Sequence, residues 1–194
     1  MNALIVYTHP NPTSFNHAIL DSITEGLKKS GHAVRVKDLY KDNFDPVLHA
    51  EDLANLQKGD IPERISKEQD DLLWAEGLIF IYPLWWFDRP AMLKGWFDLV
   101  LTNGLAFEYS DEGVKGLLQH KKALVIITAG GSKQYFIDTD AVQLIHRPVT
   151  DGTLSFCGIN DVTHRIYYDV ANLTADERSS ILKESFTLGE TFSS

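Results

Sequence analysis

The chain has 194 residues, 44% of them hydrophobic, with one cysteine and a formal net charge of −9. That length supports one sizeable core and is short for two, so residues 1–194 are expected to form a single domain. The acidic balance opposes binding to nucleic acid or anionic lipid, and a lone cysteine excludes a disulfide within the chain.

No stretch approaches the roughly 18 apolar residues of a membrane span. The N-terminus MNALIVYTHP has neither a basic region nor a small-residue cleavage site, so a cytoplasmic protein without stable membrane insertion is expected. Ala3 to Tyr7 is a short strand-like run. Asn16 to Lys29 then sets Ile19, Ile23 and Leu27 at helical spacing, and Gly31 ends that helix. Ala33 to Lys37 alternates apolar and charged residues, as an edge strand does. A polar, poorly periodic excursion from Tyr40 to Pro62 follows, of the kind that serves an interface or a site. The spacing predicts a helix over Glu63 to Trp74, a buried strand over Leu78 to Tyr82, and a helix from Pro90 to Leu101 with proline in its first turn.

After a second irregular stretch, Ala123 to Thr128 reads as another buried strand and Asp138 to His146 as a helix. Thr153 to Cys157 and Asp161 to Tyr167 read as strand material. Thr174 to Thr191 reads as a C-terminal helix opened by a Thr174/Glu177 capping box. Continuous apolar strands alternating with amphipathic helices predict an α/β fold whose parallel sheet is covered on both faces. In such sheets ligands bind beyond the carboxyl ends of the strands.

Three predicted loops meet at that end. His9-Pro10-Asn11-Pro12-Thr13-Ser14-Phe15-Asn16 offers hydroxyls and free N–H groups at a helix N-terminus, a seat for phosphate. Pro83-Leu84-Trp85-Trp86-Phe87 gathers three large aromatics on a loop, where a soluble protein has little reason to leave them uncovered. Ala129-Gly130-Gly131-Ser132 lets a backbone approach a ring edge and aim N–H groups at it. Singly, each has a plain reading as an N-cap, a core cap or dimer seam, or a turn. Together they describe a flavin site.

The segments HPNPTSFNHAI, YPLWWFDRPAMLKGWFDLVL, ITAGG and GTLSFCG make residues 3 to about 168 resemble the flavodoxin-like NAD(P)H:quinone oxidoreductases of the DT-diaphorase type. The resemblance implies a flavodoxin-like five-stranded parallel sheet and a homodimer with its active site at the interface. It implies FAD, with FMN as the alternative, and NADH or NADPH as co-substrate. It places His9, Ser14, Phe15 and Asn16 at the flavin phosphate and ribityl chain. Pro83, Leu84, Trp85 and Phe87 then line the isoalloxazine, with Thr128, Ala129, Gly130 and Gly131 at its pyrimidine edge. Phe107 and Tyr109 match two aromatics over the substrate pocket, and Tyr135 matches a tyrosine that stabilises charge during hydride transfer. The histidine that accompanies this tyrosine has no counterpart. Its position falls near Thr139 to Ala141, and His146 aligns elsewhere.

The activity implied is two-electron, ping-pong transfer from NAD(P)H through flavin to a quinone-like acceptor. Two alternatives stand beside it: a flavodoxin-type electron carrier, and a flavin-bound accessory subunit of a membrane transport system. The seven histidines show no ligand spacing, so no metal is expected. Cys157 lies in an apolar run without a flanking cation and reads as a buried, inert thiol.

Overall fold

The computed structural model describes residues 1–193. In chain order the elements are β1 (Asn2–Tyr7), α1 (Phe15–Lys29), β2 (Ala33–Asp38), α2 (Ala50–Lys58), α3 (Glu63–Trp74), β3 (Gly77–Pro83) and α4 (Ala91–Val100). Then come β4 (Phe107–Ser110), β5 (Gly113–Gly116), β6 (Lys122–Thr128), α5 (Lys133–Asp138), α6 (Ala141–Val149), a π-helical turn (Thr150–Ser155), β7 (Val162–Tyr167) and α7 (Ala175–Glu190). Five strands form one parallel sheet in the order β2-β1-β3-β6-β7. The chain leaves β1 on one side for β2 and returns on the other through β3, and the switch point between β1 and β3 opens a crevice at the strands' carboxyl ends.

Each central strand is apolar throughout because both of its faces are buried. In β1, Leu4 and Val6 face a cluster with Leu72 of α3, Leu93 and Trp96 of α4, and Ile145 of α6. Ile5 and Tyr7 alternate to the opposite face and meet Ile19, Ile23 and Leu27 of α1. Burying side chains of this size contributes about 1.5–3 kcal/mol each. The second layer of that face is α7, which lies directly on α1: a Cβ on Gly189 would stand 2.3 Å from the Ile23 carbonyl oxygen.

Four expectations are corrected. The Tyr40–Pro62 excursion is not irregular throughout, because it contains α2. The Asp52 carboxylate accepts the His49 N–H at 3.0 Å at the start of that helix, and left-handed Gly59 (φ 82°) ends it. The second irregular stretch holds the antiparallel hairpin β4–β5, whose strands are too short and too exposed to announce themselves by alternation. The helix expected over Asp138 to His146 starts only at Ala141 and runs on to Val149 as α6, parted from a separate α5 by Asp140, whose φ of 53° breaks the helical path.

Thr153 to Cys157 is not a strand. Pro148 cannot donate within α6, the Thr153 hydroxyl donates to the Pro148 carbonyl at 2.9 Å, and the chain widens into the π-helical turn instead of leaving for the sheet. Cys157 is buried as expected, and burial pushes its thiol up to about 11.

Candidate active site

The loop after β1 is built by its own side chains. Asn11 Oδ1 accepts from the Thr13 amide at 2.9 Å and the Thr13 hydroxyl at 2.8 Å, which folds the segment back toward α1. Ser14 is the N-cap of α1, its hydroxyl accepting the His17 N–H at 3.2 Å. Among the described residues the N–H groups of Phe15 and Asn16 find no partner, so two donors and a helix dipole face the crevice mouth. His9 Nδ1 accepts the Asn11 N–H at 3.0 Å, and burial holds this imidazole below its ordinary range, so it is neutral at pH 7.

Asn16 joins the first loop to the end of β6. Its side-chain amide, buried, donates to Thr128 Oγ1 at 2.8 Å, while its Oδ1 is enclosed without a donor. An orphaned acceptor of that kind costs stability unless something fills it, and a ligand hydroxyl is the natural partner. The crevice has a volume of about 330 Å³ and is walled by His9, Ser14, Phe15, Asn16, Pro83, Leu84, Trp85, Thr128 and Gly130. These residues come from the three loops that the sequence brings to one end of the sheet. Val170, on the loop after β7, completes the wall. It has no distinctive residue type and was missed, although the rule that ligands lie beyond strand ends points to its loop as well.

The aromatic loop closes in four residues. The Trp85 N–H donates to the Asp88 carbonyl at 3.0 Å, and the Asp88 N–H returns to Trp85 at 3.1 Å. The two residues at the tip, Trp86 (φ 52°) and Phe87 (φ 61°), are both left-handed. Hairpin turns of this type normally use Asn-Gly, and a bulky residue in that region costs about 1–3 kcal/mol. Trp86 is 96% exposed at this tip. Phe87 instead turns toward α5, 6.4 Å from the Tyr135 ring and 6.0 Å from Phe136.

At the third loop Ala129 is buried and fixed, its N–H donating to the Tyr167 carbonyl at 2.8 Å. Gly130 is open: a Cβ there would meet nothing within 4 Å. Gly131 is closed off behind by Phe136, and neither glycine N–H has a partner among the described residues. Ser132 caps α5 and accepts the Tyr135 N–H at 3.3 Å, and the Tyr135 ring lies 6.4 Å from Phe87; neither ring lines the crevice.

Phe107 and Tyr109 lie elsewhere. They pack edge to face at 5.6 Å on β4, and Phe107 meets Phe156 at 5.1 Å in a separate cleft. His146 is not with Tyr135 either; its ring stacks on His164 at 4.1 Å. No group of three or more side chains suited to a metal lies together among the described residues.

Strand order, switch-point crevice and loop chemistry together define a flavodoxin-like α/β protein. The family profile for a flavodoxin-like fold matches residues 1–186. An uncharacterized NAD(P)H oxidoreductase of Haemophilus influenzae is 34% identical over 94% of this chain and 91% of its own. NAD(P)H dehydrogenase (quinone) 1 of Cavia porcellus is 36% identical over 93% of this chain and 73% of its own. The solved NAD(P)H:quinone oxidoreductase of Methanothermobacter marburgensis superposes with a TM-score of 0.88 at 32% identity, covering 100% of this chain and 98% of that one. The chain belongs to the flavodoxin-like family of NAD(P)H:quinone oxidoreductases.

Proposed function

We propose that the protein is a flavin-dependent oxidoreductase using NADH or NADPH and a quinone-like acceptor in turn at one site. When bound, the flavin supplies the chemistry, accepting hydride from the nicotinamide and passing two electrons on. FAD is the flavin proposed, with FMN as the alternative. The observation that carries the reading is the crevice itself, where free helix N-terminal amides, the orphaned Asn16 acceptor, the Trp85 ring and the open Gly130 turn meet on one scaffold.

Each part has a task. The Phe15 and Asn16 amides and the Ser14 hydroxyl hold a phosphate without a lysine. Pro83, Leu84, Trp85 and Phe87 orient a flat ring system and exclude water from one side of it. Thr128, Ala129, Gly130 and Gly131 bring backbone to its polar edge, where the two glycine N–H groups stabilise negative charge. Tyr135 adds a hydroxyl beside Phe87 and takes the catalytic role without a histidine.

The site is shared in a homodimer. Phe107 and Tyr109 stand apart from their own chain's crevice, and the Tyr40–Pro62 excursion exposes Val47, Leu48, Leu53 and Ile61 beside a groove of about 670 Å³ that Phe107 also lines. A second copy would cover that surface and bring the two aromatics to its partner's flavin.

The reading predicts two separable half-reactions. Anaerobic stopped-flow should show NAD(P)H bleaching the bound flavin without acceptor and a quinone restoring its colour afterwards. A flavin that accepts electrons only from another reduced protein would favour the carrier reading instead.

A further inference from the structure

Tyr7, the last residue of β1, is fully buried, its ring packed with Ile19 and Ile23 of α1 and edge-on to His17 at 5.6 Å. Its hydroxyl reaches under the first crevice loop, where Oη lies 3.3 Å from Ser14 Oγ and has no other hydrogen-bond partner among the described residues. Two orientations are open to such a pair. If Ser14 donated, the Tyr7 proton would be buried without an acceptor and would carry the full desolvation cost of a lost hydrogen bond. If Tyr7 donates, every proton has a place, because Ser14 is only half-buried and lines the crevice. Burial pushes the Tyr7 phenol above its ordinary range, so it keeps this proton at neutral pH.

A serine hydroxyl has two lone pairs and one proton. At Ser14 one lone pair takes the His17 N–H at 3.2 Å and the other takes the Tyr7 hydroxyl, which leaves the Ser14 proton for whatever enters the crevice. The free N–H groups of Phe15 and Asn16 follow in the next two positions.

We infer that Tyr7 is a positioning residue for the flavin phosphate: by filling the second lone pair of Ser14 Oγ, it fixes that hydroxyl as a donor to the phosphate oxygens. The inference rests on the proposed flavin site and adds to it a residue that does not line the crevice. The core has no use for a phenol at this place, since the ring alone makes the contacts with Ile19, Ile23 and His17. Without the phenol, the serine proton rotates among its staggered positions and is no longer aimed.

The test titrates the full-length protein, freed of any bound flavin, with riboflavin, FMN and FAD, and follows the quenching of flavin fluorescence. Riboflavin lacks the phosphate. Tyr7→Phe keeps the ring and removes only the hydroxyl, and should weaken the tighter of FMN and FAD about three- to tenfold while changing riboflavin by less than about 1.5-fold. In a Ser14→Ala background the same change should alter the affinity by less than about 1.5-fold, a coupling that a tyrosine serving only the core would not show. Should Tyr7→Phe fail to fold, NMR of the wild-type protein decides: a slowly exchanging Tyr7 hydroxyl proton with nuclear Overhauser contacts to the Ser14 β-protons is the expected result.

Equal losses for riboflavin and the phosphorylated flavins, no loss at all, or full additivity with Ser14→Ala would overturn the role. So would a Ser14 hydroxyl proton held on Tyr7 Oη. Failure of riboflavin, FMN and FAD alike to bind the wild-type protein would overturn the proposed function together with this role. Wild-type binding that favours a phosphorylated flavin and is indifferent to Tyr7→Phe would overturn this role alone.

Discussion

Trp86 and Phe87 share a strained backbone but not a surroundings. Phe87 rests against Tyr135 and Phe136, whereas Trp86 projects from the tip with 96% of its surface in water. Phe87→Ala should therefore weaken flavin binding more than Trp86→Ala does, measured by fluorescence titration of the apoprotein. Equal losses would mean that the turn presents its other side to the ring. Tyr135 poses a different question, because the histidine that the sequence resemblance pairs with it has no counterpart here. Tyr135→Phe should slow reduction of the bound flavin by NAD(P)H about 10–100-fold, roughly 1.4–2.7 kcal/mol of barrier, with flavin affinity nearly unchanged. An unchanged rate would leave charge stabilisation to the glycine N–H groups alone.

At the scale of elements, α6, the π-helical turn and β7 meet at the stacked rings of His146 and His164. Burial, and then the proximity of His146, holds His164 down to about 4, and burial lowers His146 as well. An unfolded imidazole takes up its proton near 6.5, whereas the folded His164 stays neutral until about pH 4. Between those values the unfolded chain binds more protons, so stability should fall as pH is lowered from 6.5 toward 4. Urea denaturation at pH 7 and pH 5 should show that loss, and His164→Gln should reduce it. An identical loss in the variant would place the titrating group elsewhere. This junction is also where the sequence misleads: Thr153 to Cys157 has strand-like residue types, and only the donor missing at Pro148 and the Thr153 bond to its carbonyl explain why it coils. The hairpin β4–β5 is illegible for another reason, since each strand has four residues and neither buries a full face.

Across the whole molecule, the parallel sheet is legible because its central strands are buried on both faces and so carry unbroken apolar runs, as Leu78 to Tyr82 and Ala123 to Thr128 do. The loops at their ends follow from that order, which is why His9, Asn16, Trp85 and Gly130 meet in the crevice as their positions predict. In the proposed dimer Phe107 and Tyr109 would reach a crevice only across two copies, a distance that one chain's pattern does not encode. Light scattering at micromolar concentration should report a dimer, and Leu53→Asp on the exposed face of α2 should shift it toward monomer with loss of turnover. A fully active monomer would reject the shared site. The proposed activity depends on the crevice holding a flavin. The decisive measurement is the absorbance spectrum of the purified protein, followed by identification of what heating releases. The account predicts a yellow protein that yields one flavin per chain. Protein that stays colourless after incubation with FAD and with FMN would contradict it.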